Sequence, residues 1–279
     1  MGEHRPEVDG PDGGRRRLDG GSPPVILEAV IRAVVFDLDG VLLDSEHLWD
    51  EARREVVAAQ HGRWRRDATA AMQGMSSVEW SAYLHDELAV DVPPERIADL
   101  VVERILNRYR RDLPLLPGAV EAVRRVGERW PLGLASSSNR EVIDAVVALT
   151  GLEGRFRATV SSEEVPRGKP APDVYLEAVR RIGEPPRSCV AVEDSANGIR
   201  SAAAAGLATV AVPDPRYPAP AAVLSRARLV IRSLADLTVE SLEDLARVDD
   251  GRRERRLDEQ ELESFPASDS HADWAGPPG

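Results

Sequence analysis

Apolar positions along the chain fall into two rhythms. Short, largely apolar runs occur at 31–36 (interrupted only by Arg32), 132–135, 158–160, 189–192, 208–212 and 229–231. Runs of this length, rich in Val, Ile and Ala, read as buried strands. Between them, apolar residues recur every three or four positions near 118–129, 140–150, 172–182 and 196–204, which is the signature of helices with one buried face. Strands alternating with helices predict βαβ units. The expected fold class is therefore α/β, a doubly wound, Rossmann-like parallel sheet with helices on both faces.

One stretch breaks the alternation. Residues 46–113 are helical throughout in pattern, with predicted helices over 46–60, 77–88 and 93–110. This predicts a small helical cap domain inserted after the first strand, with hinges near 45–47 and 113–117. The α/β core would comprise 30–45 and 114–246. Residues 1–29 are rich in Gly, Pro, Arg and Asp and lack apolar periodicity, so a disordered tail is expected there. A second, charged and largely disordered tail is expected over 247–279.

Composition narrows the function classes. A hydrophobic content of 42% is enough to fill a core, and the net charge of −12 argues against general nucleic-acid binding, which needs a basic face. No apolar run reaches the roughly 18 residues of a membrane span, and the N-terminus lacks the apolar stretch of a signal peptide. The single cysteine, Cys189, sits in an apolar run and reads as a small buried strand residue. A cytoplasmic enzyme that works as a monomer is the expectation.

The first strand closes on Phe36-Asp37-Leu38-Asp39-Gly40. Carboxylates at the buried end of a strand are costly unless a cation or donors offset them, so Asp37-x-Asp39 points to Mg²⁺ and to chemistry on phosphate. Ligands of such sheets bind beyond the carboxyl ends of the strands. Ser136 and Ser137 follow the second strand there, and Glu193 and Asp194 follow the fourth. Composition supplies another marker. The chain's 36 basic residues are arginine in every case but one, Lys169, in a loop just before a predicted helix. Where arginine replaces lysine so freely, the lysine that stays marks a place suited to a compact ammonium rather than a planar fork.

Four separated segments, Asp37-Leu38-Asp39-Gly40, Leu134-Ala135-Ser136-Ser137-Ser138, Gly168-Lys169-Pro170 and Val192-Glu193-Asp194-Ser195, resemble in this order the four motifs of the haloacid dehalogenase superfamily. With the cap after the first strand, the resemblance is to the branch holding β-phosphoglucomutase and sugar-phosphate phosphatases, and it covers about residues 30–245. It implies Asp37 as nucleophile, Asp39 as general acid and then base, and Ser136 and Ser137 as phosphate ligands. It implies Lys169 as the cation between nucleophile and phosphoryl group. Mg²⁺ would be held by Asp37, the Asp39 carbonyl, Asp194 and Glu193. The implied partner is a small phosphomonoester. Ser77 and Trp49 stand where the mutase carries an arginine and a histidine, so a phosphatase for sugar or polyol phosphates is expected ahead of a hexose phosphomutase. A non-catalytic phosphosugar-binding regulator is the third reading, and such a binder has no need of Asp39. His47 is expected to have a surface or packing role, and Trp49 and Trp80 to pack the cap.

Overall fold

The computed structural model describes residues 30–72, 75–216 and 218–247. The two expected tails lie outside these residues, apart from Arg247. Six strands, β1 (Ala33–Phe36), β2 (Leu132–Ser136), β3 (Phe156–Ser161), β4 (Cys189–Glu193), β5 (Ala208–Ala211) and β6 (Leu229–Val230), form one sheet in the order β3-β2-β1-β4-β5-β6. Every pairing is parallel.

The unbroken apolar runs follow from burial on both faces. Val34, Phe36, Leu132, Leu134, Val190 and Val192 point into one cluster, while Ala33, Val35, Cys189 and Ala191 point into the other. Helices α5 (Ala119–Gly127), α6 (Arg140–Leu149) and α10 (Val239–Arg247) cover the first face. Helix α7 (Asp173–Ile182) packs Val174, Tyr175, Ala178 and Ile182 on the second, beside α8 (Ala196–Ala204). A one-turn helix, α9 (Ala221–Leu224), lies against α8. The architecture is the doubly wound one that the alternation predicts.

Between β1 and α5 come α1 (Glu46–Ala59), α2 (Ala68–Met72), α3 (Ser77–Asp86) and α4 (Pro94–Tyr109). They share a core that includes Trp49, Val56, Trp80, Leu84, Val101 and Ile105, all buried. The two strands of chain that join these helices to the sheet run side by side. The Asp44 N–H donates to the Pro114 carbonyl (2.8 Å) and the Leu116 N–H to that of Leu42 (2.9 Å).

Element boundaries differ from expectation where burial is uneven. β3 is an edge strand and runs from Phe156, two residues earlier than its apolar run, because exposed Arg157 and half-exposed Thr159 interrupt the pattern. α2 has only five residues, too few to show a period. The sheet order turns at β1, whose chain neighbours lie on one side and β4 on the other. A crevice beyond the carboxyl ends of β1 and β4 is therefore where a ligand site belongs.

Candidate active site

Asp37 leaves β1 with its N–H donating to the Val192 carbonyl of β4 (3.0 Å), so the ladder fixes its backbone. The loop after it turns tightly, with the Gly40 N–H donating to the Leu43 carbonyl (2.8 Å). Gly40 has φ +83°, and a Cβ there would lie 2.0 Å from Asp194 Oδ2. Glycine is required both by the left-handed backbone and by the carboxylate pressed against it.

Lys169 joins two strand ends. The residue is 5% exposed, and its ammonium donates to Asp37 Oδ1 at 2.7 Å and to Glu193 Oε1 at 2.6 Å. The Tyr175 hydroxyl of α7 also donates to Glu193 Oε1 (2.7 Å). Glu193 Oε2 accepts from the Asp194 N–H (3.1 Å), the Ser195 N–H (3.3 Å) and the Ser195 hydroxyl (3.2 Å). These donors fill a carboxylate's lone-pair sites. Glu193 is thus a fully engaged anchor for Lys169, wholly buried behind the site. Burial would lower the Lys169 ammonium's pKa, but the Asp37 and Glu193 carboxylates together hold it above its ordinary value. Burial, only partly opposed by Lys169, raises the Asp37 carboxyl to about 7. Burial, and then repulsion by Glu193 and Asp37, raises that of Asp194 as well. The common cause is burial, to which the crowding of like charges around one ammonium adds.

Asp194 differs from Glu193. Its Oδ1 is inaccessible to solvent and has no hydrogen-bond partner among the described residues. Carboxylate oxygens of Asp37, Glu193 and Asp194 lie within 4.8 Å of one another. An orphaned buried carboxylate oxygen in an all-oxygen acidic group fits a hard divalent cation.

Asp39 is gripped from two sides. Oδ1 accepts from the Ser45 hydroxyl (2.6 Å) and from Trp49 Nε1 on α1 (3.2 Å). Oδ2 accepts from the Ser138 hydroxyl (2.6 Å), with Ser136 Oγ at 3.5 Å. Ser136 Oγ accepts the Ser138 N–H (3.0 Å), so it ties its own loop rather than capping α6.

A cavity of about 430 Å³ opens between these strand ends and the inserted helices. Asp37, Asp39, Ser136, Ser137, Lys169 and Asp194 all line it, and α1 and α3 form the opposite wall. The buried Ser77 hydroxyl of α3 donates to Asn139 Oδ1 (2.6 Å). His47 is exposed and lies 3.8 Å from Asp44. Trp49 packs against Trp80 with ring centroids 6.3 Å apart, but it also holds Asp39, a role that its apolar character concealed. The residues missed from sequence are Ser45, Ser138 and Tyr175. Ser138 stood inside a quoted motif, whereas Tyr175 looks like any core aromatic.

Comparison with known proteins agrees with this geometry. The family profile described as haloacid dehalogenase-like hydrolase matches residues 31–206. Hexitol phosphatase B of Escherichia coli (strain K12) is 34% identical over 229 residues, covering 76% of this chain and 96% of the relative. The fructose-1-phosphate phosphatase YqaB of the same strain is 30% identical over 179 residues, covering 64% and 95%. The crystal structure of CbbY from Rhodobacter sphaeroides in complex with phosphate superposes with a TM-score of 0.70 at 26% identity, covering 77% of this chain and all of that one.

Proposed function

The chain belongs to the haloacid dehalogenase-like hydrolases, and from that premise we propose that it is a Mg²⁺-dependent phosphatase of small phosphorylated sugars or polyols, working through an acyl phosphate on Asp37. The observation that carries this reading is the asymmetry of Asp37. Its Oδ1 is locked to Lys169, while Oδ2 accepts no hydrogen bond among the described residues. Oδ2 is the nucleophile. It forms a bond to phosphorus as the bond from phosphorus to the substrate's ester oxygen breaks, which splits one hard displacement into two easier ones.

Asp39 gives its proton to the departing alkoxide and later takes one from the water that attacks the acyl phosphate. Two of its three close partners, Ser45 and Ser138, are hydroxyls. Hydroxyls donate or accept as needed, so Asp39 stays oriented in both protonation states. Ser136 and Ser137 face the phosphoryl oxygens. Lys169, braced by Glu193, keeps Oδ1 turned away and offers positive charge where phosphoryl charge shifts. Asp37, Asp194 and the Asp39 carbonyl would hold Mg²⁺, which supplies further charge compensation for the transferring group. The names of the hexitol and fructose-1-phosphate phosphatases support a carbohydrate-derived substrate.

The test is release of inorganic phosphate from a panel of sugar and polyol monophosphates with Mg²⁺. Asp37→Asn is expected to lower turnover by at least about 10⁴-fold with the fold intact. Turnover by pure Asp37→Asn protein, free of deamidated material, would rule out the covalent route. A phosphorylated isomer formed without phosphate release would establish a mutase instead.

A further inference from the structure

Helix α1 brings Glu46, Trp49 and Arg53 to the cavity wall. At positions i, i+3 and i+7 they share one side of the helix. Trp49 is engaged with Asp39, but among the described residues the outer two have no such partner. Arg53 is only 7% exposed. Its guanidinium lies 5.5 Å from the Trp49 ring centroid and 5.1 Å from that of Trp80. Its Nε has no hydrogen-bond partner among the described residues. Burial is the main influence on Arg53, and Glu46, Asp50 and Asp39 act on it only through space. The half-buried Glu46 carboxylate feels Arg53 in the same way, without a hydrogen bond. Both residues line one cavity, and among the described residues neither side chain has a hydrogen-bond partner, which calls for a ligand that engages the guanidinium and the carboxylate together.

Resting on the phosphatase reading, we propose that Arg53 and Glu46 form a subsite for the distal hydroxyl groups of the substrate. The substrate is then a monophosphate of an uncharged polyhydroxylated chain. A hydroxyl both accepts and donates, so one hydroxyl, or a vicinal pair, can accept from Arg53 and donate to Glu46. A second phosphate or a carboxylate would satisfy Arg53 but would press on Glu46. It would also meet a wall lined by six carboxylates and only two cations. Arg53 and Glu46 are specificity residues, remote from the reacting atoms.

The experiment compares kcat/KM, with Mg²⁺, for hexitol 6-phosphate and n-hexyl phosphate, two esters with chains of equal length that differ in hydroxyls. Wild type is expected to prefer the hexitol ester by about 100-fold or more. Arg53→Met and Glu46→Gln are each expected to cut that preference about tenfold. Arg53→Lys, which keeps the charge but loses the fork, should fall between. If Arg53→Met does not fold, Glu46→Gln and Arg53→Lys carry the test. Equal losses on both esters would mark Arg53 and Glu46 as structural and overturn the subsite. So would a preference unchanged in all folded variants, or a wild-type preference for hexitol 1,6-bisphosphate over the monophosphate that Arg53→Met abolishes. Hydrolysis of p-nitrophenyl phosphate by wild type separates the two readings. If it is present and the selectivity is flat, the subsite alone fails; if no ester is hydrolysed at all, the phosphatase reading fails and takes the subsite with it.

Discussion

Lys169→Arg preserves charge and tests whether the site needs an ammonium. Lys169 is 5% exposed and its nitrogen is confined on three sides: by Asp37 Oδ1 at 2.7 Å, by Glu193 Oε1 at 2.6 Å and by the Tyr175 ring, whose centroid is 5.0 Å away. Arginine adds heavy atoms to the end of the side chain exactly where this space is closed. Glu193 cannot retreat, because Tyr175, Ser195 and the Asp194 N–H hold it. The guanidinium therefore displaces Asp37. Overpacking of this kind costs about 1–3 kcal/mol, which lowers Tm by roughly 2–12 °C at about 2–4 °C per kcal/mol for a chain of this size. With Asp37 as the proposed nucleophile, the kinetic effect should be larger, because a misplacement of about 1 Å costs on the order of 100-fold in rate. The loss should fall on kcat more than KM, since the cation matters most as charge moves in transfer. Steady-state phosphate release and calorimetry on the purified variant read both numbers. A kcat within threefold of wild type with an unchanged Tm would refute the reasoning. The single lysine among 36 basic residues would then be an accident of composition.

Mg²⁺ should bind more tightly as pH rises through about 7. The Asp37 carboxyl, raised to about 7, is mostly protonated below that pH in the metal-free site, and the cation must displace the proton; a calorimetric Kd that does not change between pH 6 and 8 would contradict this. The same raised pKa means that the metal-free native state binds more protons than the unfolded chain between about pH 4 and 7, so its stability should fall as pH rises through that window. Urea midpoints in EDTA at pH 5 and pH 7.5 check the sign. Gly198→Ala should destabilise by about 2–3 kcal/mol, because its Cβ would lie 1.8 Å from Glu193 Oε1, an atom held in place by Lys169 and Tyr175. An unchanged urea midpoint in that variant would show that α8 can shift freely.

What could be read from sequence divides along physical lines. β1 and β4 were legible because both their faces are buried, which leaves unbroken apolar runs that end in carboxylates. β3 was only half legible, since an edge strand tolerates Arg157 in its middle. Asp37, Glu193 and Asp194 announced themselves by following apolar runs, and Lys169 by its rarity. The grip on Asp39 was not legible. It depends on Trp49 lying one turn into α1 and facing the sheet, a tertiary fact that hydrophobicity cannot encode. Arg53 was hidden for the opposite reason, since an arginine in a charged helix ordinarily reads as solvated surface. Glu193 illustrates a finer limit, because its place beside the acidic group is legible but the number of donors already on it is not.

The two carboxylates of the Asp37-x-Asp39 pair depend on different parts of the molecule. Asp37 is fixed by β1, by the ladder to β4 and by Lys169, all of which belong to the sheet and its loops. Asp39 takes Ser138 from the sheet side, but Ser45 and Trp49 come with the inserted helices. Any displacement of α1 therefore withdraws donors from Asp39 and leaves Asp37 as it was. Hydrogen bonds to a charged group are worth about 1.5–3 kcal/mol each, so the position of α1 and the orientation of Asp39 are energetically coupled. The coupling matters only for leaving groups that need a proton. An alkoxide departing from a sugar or polyol phosphate needs one, whereas a phenolate leaves as a stable anion. With Asp39 as the proposed acid, the inserted helices would control alcohol release through it, and the helix that holds its donors carries Glu46 and Arg53 on its cavity side. A chain of hydroxyls drawn against α1 would hold that helix in the place where Asp39 keeps its partners. Recognition of the distal end and protonation of the ester oxygen would then be linked through a single rigid element.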